Sequence, residues 1–229
     1  MADFPRSPQA RDRAEQALVW LLHELGDEQP FIVVLGGLVP ETLTSGGPTA
    51  VPQHLGTTDV DLLLITHVEP DGNLSSVERA LSSLDFAPDP HEDGWRWKGG
   101  VDGHPVLTSA TVAVRFAGLE GYLISKCVTV RTRSAAKDYY DLAYVLLYNR
   151  AGGPEQTARR LREGTLADAT RQLRTTFLEV RERYRRPTDD GPRFYAEQAL
   201  LVDPDADEPL LRADAVDASA RFFAALEDA

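Results

Sequence analysis

Apolar positions recur at helical spacing over residues 9–25, where Ala10, Ala14, Ala17, Leu18, Leu21, Leu22 and Leu25 fall on one face. Gly26 and Pro30 are expected to end that helix. The period then changes. Residues 31–35 are continuously apolar and run into Gly36-Gly37, the pattern of a short buried strand. Residues 38–44 suit a short helix, the Gly- and Pro-rich stretch 45–53 a loop, and 60–65 a second buried strand. Ser75-Ser76-Val77-Glu78 has the spacing of a capping box and predicts a helix through Leu84. Residues 95–98, 105–108 and 111–116 read as short strands joined by glycine-containing turns.

From Leu119 the helical period returns. Leu119, Tyr122, Leu123 and Lys126 share a face, and 137–148 continues as helix with Leu142, Val145 and Leu146 apolar. Gly152-Gly153-Pro154 interrupts the chain, and helices are predicted over 158–163, 166–184 and 214–226. The expected class is α+β, with a mixed sheet flanked by helices over residues 1–118 and a helical domain over 119–229. No internal repeat is visible.

Length adds one bound: 229 residues suffice for one large domain or two small ones. Only Cys127 is present, which excludes a disulfide framework, and no Cys/His cluster has zinc-ligand spacing. The longest apolar run is too short to cross a bilayer. Met1-Ala2-Asp3-Phe4-Pro5 lacks a basic stretch followed by a hydrophobic one, so neither a membrane partner nor a signal peptide is expected, and the reading is cytoplasmic.

Charge changes the picture more. The formal net charge of −12 argues against coating nucleic acid by bulk charge. It is unevenly spread, however: residues 129–186 hold 13 Arg/Lys against 7 Asp/Glu, and 201–229 hold 2 against 8. An acidic protein with a basic middle can bind an anion locally.

The candidate chemistry lies where the two buried strands would meet. Gly36-Gly37 allows close backbone approach to a phosphate, whose oxygens the N–H groups can bind. On the second strand Asp59 and Asp61 would share a face, roughly 6–7 Å apart at Cα. Two carboxylates so placed repel unless a cation lies between them, and their oxygens suit Mg²⁺ or Mn²⁺. Each feature alone is weak; their order along the chain is more specific.

The segments Val33-Val34-Leu35-Gly36-Gly37-Leu38, His54-Leu55-Gly56-Thr57-Thr58-Asp59-Val60-Asp61, Lys126 and Ala136-Lys137-Asp138-Tyr139-Tyr140-Asp141-Leu142 resemble the DNA polymerase β-like nucleotidyltransferase superfamily. The closer resemblance is to its AbiEii/MenT-like branch, toxins of toxin–antitoxin pairs, and it covers roughly residues 31–147. It implies Mg²⁺-dependent nucleotidyl transfer from an NTP, with the metal on Asp59 and Asp61. Gly36, Gly37 and Thr58 would contact phosphates, and Lys126 would pair with the triphosphate as a point charge. Lys137, Asp138 and Asp141 complete the implied site, with Asp138 among its active residues. The acceptor would be an RNA, with the 3′ end of tRNA expected, held by arginines of 129–186; a cognate antitoxin would be a partner.

Simpler roles compete for these residues. Lys137 and Asp138 could form a surface ion pair, and Asp141 could tie its helix to the sheet through Arg131 or Arg133. Tyr139, Tyr140 and Tyr144 read as packing residues, and His54 as a loop histidine without a role. One departure stands out: the family's third carboxylate falls at Thr108 or Ser109, and Asp102 is a poor substitute. That favours either Asp138 as the base or a weakened, non-catalytic module that binds nucleotide or protein. A small-molecule nucleotidyltransferase of the aminoglycoside-modifying kind is the remaining alternative, since an acidic surface suits a cationic substrate.

Overall fold

The computed structural model describes residues 6–26, 32–45, 51–64, 75–88, 97–98 and 114–227. Helix α1 (Pro8–Leu25) starts where the Ser7 hydroxyl accepts from the Ala10 amide at 3.1 Å, which satisfies one orphan donor of the first turn. Gly26, at φ +52°, ends it. Strand β1 (Ile32–Leu35) pairs antiparallel with β2 (Asp61–Leu64), in a register that sets Leu35 opposite Asp61. On its other edge Val34 bridges to Phe116 in parallel, its amide donating to the Arg115 carbonyl at 2.8 Å. A 3₁₀ turn over Gly36–Leu38 leads into α2 (Val39–Thr44). Helix α3 (Ser75–Ser83) follows, and β3 (Ala87–Pro88) pairs antiparallel with β4 (Trp97–Lys98). Leu18, Leu22 and Leu25 of α1 pack with Ile32, Val34, Leu38 and Leu81 in one apolar cluster.

The rest of the described chain is helical: α4 (Leu119–Thr132), α5 (Ala136–Tyr148), α6 (Pro154–Glu163), α7 (Ala167–Gln172), α8 (Arg174–Glu182), α9 (Asp190–Ala199) and α10 (Glu208–Glu227). Helix α5 is central. Every residue from Asp138 to Leu146 is buried, so α5 is covered on all sides, chiefly by α9, α10, α4 and α2. The larger core cluster joins α4, α5, α6, α8, α9 and α10 to Val39, Leu55 and Ala117, and thereby runs across position 118 without a gap. The architecture is mixed α+β and mostly helical, with a small antiparallel pair of strands at its first core.

Several expectations need correction. The single helix expected over 166–184 is two: Leu173, at ψ 13°, turns the chain between α7 and α8, and Phe177 and Val180 of α8 then reach the main cluster. Helix α10 begins six residues before the predicted start, and α9 was not foreseen. Gly191 and Pro192, which would mark a break inside a helix, sit in the first turn of α9, where proline is tolerated. Gly191 is required there, because a Cβ would lie 2.5 Å from the Tyr184 ring. The strand expected over 105–108 and the third-acid positions Thr108, Ser109 and Asp102 lie outside the described residues.

Candidate active site

Asp61 opens β2, whereas Asp59 lies in the bend before it and not on the strand. The Thr57 side chain is the reason. Its hydroxyl donates to the Asp59 carbonyl at 3.2 Å, a local turn that competes with the ladder. The two carboxylates still influence one another. Removal from water and the Asp59 charge push Asp61 up from the ordinary carboxylate value, although its side chain keeps an open side. Burial opposes ionisation of Asp59 as well, but the Thr58 hydroxyl and the Lys137 ammonium overcome it and hold Asp59 low. Lys137 Nζ lies 3.4 Å from Asp59 Oδ2, so its partner is this carboxylate across the site. The alternative pair with neighbouring Asp138 is not formed.

The diglycine turn is pressed against these groups. Gly36 has φ +65°, a region that disfavours a Cβ, and a Cβ there would overlap the Asp61 carboxylate. At Gly37 a Cβ would lie 2.6 Å from Thr57 Cβ and 2.9 Å from Arg6 Nη2. Glycine is thus demanded by close approach, and the diglycine backbone reaches both the paired aspartates and a guanidinium.

Behind this face lies a buried ion network built on α4 and α5. Lys126 Nζ donates to Asp138 Oδ1 at 3.1 Å and to Asp141 Oδ2 at 2.8 Å, and both carboxylates are almost wholly buried. Burial opposes the charge of Lys126, yet the two carboxylates raise its affinity for its proton. Asp138 also accepts from Arg133 Nε at 2.9 Å. Burial likewise opposes ionisation of Asp141, and Lys126, Arg6 and His54 together hold it well below the usual carboxylate range. The expected tie of Asp141 through Arg131 or Arg133 is replaced: Arg131 pairs with Glu179 and Arg133 with Asp138.

Two residues of the site were not anticipated. Arg6, just ahead of α1, donates from Nη2 to Asp141 Oδ1 at 3.0 Å, and its Nη1 is buried without an acceptor among the described residues. An unmet buried donor costs about 1–3 kcal/mol. His54 places Nε2 at 3.1 Å from Asp141 Oδ1 while its Nδ1 accepts from the Gly56 amide at 3.1 Å. These partners assign the neutral Nε2–H tautomer. Burial lowers the affinity of His54 for a second proton despite the adjacent carboxylate. Beside it, Tyr140 accepts the Leu55 amide and Tyr144 donates to the Pro52 carbonyl. These tyrosines pack and brace the loop, as expected. His54 could have been suspected from its place in the loop that leads to Asp59; nothing local marks Arg6.

The geometry thus unites Gly36, Gly37, Thr58, Asp59, Asp61 and Lys137 on one face, with Lys126, Asp138 and Asp141 directly behind. Four carboxylates meet four cations, counting Arg6 and Arg133, around a neutral histidine. The accessible oxygens are those of Asp59 and Asp61, and their mutual repulsion makes a hard divalent cation a fitting guest. The basic middle segment is less available than its sequence suggests. Arg131, Arg160, Arg162, Arg171, Arg181, Arg185 and Arg186 each lie within 4 Å of a carboxylate. Arg159 and Arg174 are exposed and form no ion pair among the described residues. No helix of the described residues is long and apolar enough to cross a membrane. No protein-family model, curated protein or solved structure matches this chain.

Proposed function

We propose that the protein is a Mg²⁺-dependent nucleotidyltransferase, transferring a nucleotidyl group from an NTP to an RNA acceptor, with the 3′ end of tRNA as the expected target and a toxin–antitoxin pair as its setting. The observation that carries this reading is the packing of Gly36 against Asp61, beside Asp59 and Lys137. Close backbone approach, paired oxygen ligands and a partly exposed ammonium form the set that a metal–triphosphate complex requires.

Asp59 and Asp61 would hold the divalent ion, which supplies charge neutralisation as pyrophosphate leaves. The diglycine backbone would hold phosphate oxygens, and Lys137 and Arg133, both partly exposed, would face the polyanion. Lys126 takes a different part from the one its resemblance implies. With two buried carboxylates already on its ammonium, it fixes α4 to α5 and holds Asp138 and Asp141 as a rigid floor. A site whose own charges balance becomes positive once the ion is bound, which favours an anionic substrate. RNA would meet Arg150, Arg159 and Arg174, which form no ion pair among the described residues, or displace existing ion pairs, so its binding should weaken as salt rises.

A second reading, a nucleotide- or protein-binding module with little catalysis, draws on one observation: Asp138 has no free oxygen, one being taken by Lys126 and the other by Arg133. The same assay separates the two. Purified protein is incubated with Mg²⁺, each labelled NTP in turn and total tRNA, beside an Asp59→Ala/Asp61→Ala control. Label in RNA with the wild type alone is the expected result. No incorporation from any NTP would refute the enzyme.

A further inference from the structure

We propose that Arg6 is a phosphate-binding residue of this site: Nη2 holds Asp141 from the inside while Nη1 is the donor reserved for a terminal phosphate oxygen of the bound nucleotide. This rests on reading the site as an NTP site, and it reassigns the principal triphosphate contact from Lys126 to a residue 120 positions earlier.

Three observations support it. Arg6 Nη1 is buried and has no acceptor among the described residues, although buried donors are nearly always satisfied. The guanidinium lies against the diglycine turn, with Nη2 at 2.9 Å from where a Gly37 Cβ would be, so an anion resting on that backbone also meets Arg6. Its Nη2 is anchored on Asp141 at 3.0 Å, which holds the guanidinium in place beside that turn. Lys126 is already held between two carboxylates, Asp138 and Asp141. The planar fork of a guanidinium can engage a carboxylate from one nitrogen and a phosphate from another.

The test uses the full chain with Mg²⁺ and measures calorimetric Kd values for each NTP, the matching NMP and inorganic tripolyphosphate. Wild type is compared with Arg6→Met and Arg6→Lys, the fold of each being checked by circular dichroism. Arg6→Met is expected to weaken tripolyphosphate and the favoured NTP by about 10–100-fold, as for one lost charge-assisted contact. The NMP should bind as before, so that the preference for NTP over NMP collapses. Equal weakening of NTP and NMP would reveal a purely structural role and overturn the assignment, as would no weakening at all; either result leaves the nucleotide reading standing. Wild type that binds neither NTP nor tripolyphosphate would overturn both. Should Arg6→Met fail to fold, Arg6→Lys decides: it can keep the Asp141 pair but not the fork, and a tripolyphosphate Kd within about twofold of wild type overturns the proposal.

Discussion

Replacing Asp141 by Asn keeps the side chain's shape and removes one charge from the point where Lys126, Arg6 and His54 converge. Lys126 would retain Asp138, but Arg6 would lose the carboxylate that compensates its burial. Breaking a buried pair from one side costs about 3–5 kcal/mol, and because the amide oxygen can still accept one hydrogen bond the lower end applies, about 3 kcal/mol. That is a large share of the roughly 5–15 kcal/mol that holds a domain folded. At about 2–4 °C per kcal/mol for a chain of this size, the melting temperature should fall by about 6–12 °C. Urea unfolding followed by circular dichroism measures the loss. The sign with pH is also determined. Because Asp141 is held below its ordinary value of 3.8, its contribution is present above that pH and disappears as pH falls beneath it. The gap between wild type and Asp141→Asn should therefore be full at pH 7 and shrink at pH 3. Asp59→Asn is the control: its pair with Lys137 is partly exposed and worth about 0–1 kcal/mol. A loss below about 1 kcal/mol for Asp141→Asn at pH 7, or a gap that widens in acid, would refute the reasoning.

Gly36→Ala should destabilise the protein by at least the roughly 1–2 kcal/mol of a left-handed alanine, since the added methyl also collides with Asp61; denaturant titration measures it. His54 is harder to protonate when folded than when unfolded, so stability should decline as pH drops below about 6.5, at no more than about 1.4 kcal/mol per pH unit for one proton. That decline should be absent in His54→Gln, and its persistence would implicate another group. Asp61 is held above its ordinary value, so its charge costs the folded state stability at neutral pH. Asp61→Asn should accordingly raise the melting temperature while abolishing Mn²⁺ binding measured by electron paramagnetic resonance; a lower melting temperature would contradict the repulsion argued for Asp59 and Asp61.

The helices and strands that could be read ahead share a cause. Helix α1, β1, β2 and α5 each carry their signal within a few residues: an apolar period, a diglycine stop, the glycine at position 26. What failed was governed from elsewhere. The break at Leu173 lets Phe177 and Val180 reach the main cluster, and the first turn of α9 takes Gly191 because the Tyr184 ring leaves no space for a Cβ. Asp59 leaves the strand through a hydrogen bond of Thr57, a competition that side-chain alternation does not register.

The same division runs through the candidate site. Spacing and order along the chain marked Gly36, Gly37, Asp59 and Asp61, because close approach and paired carboxylates are short-range demands written into neighbouring residues. Which cation answers which carboxylate was decided only in three dimensions. Arg6 reaches Asp141 across 135 positions and His54 across 87, while Lys137 passes over neighbouring Asp138 to meet Asp59. The net charge of −12 likewise belongs to the sequence, but the basic segment loses much of its exposed charge to carboxylates that folding brings beside it, Glu120 and Glu227 among them. Local periodicity reports what a residue prefers; burial makes charge pairing compulsory, and the partner is whichever group the packed helices carry within reach.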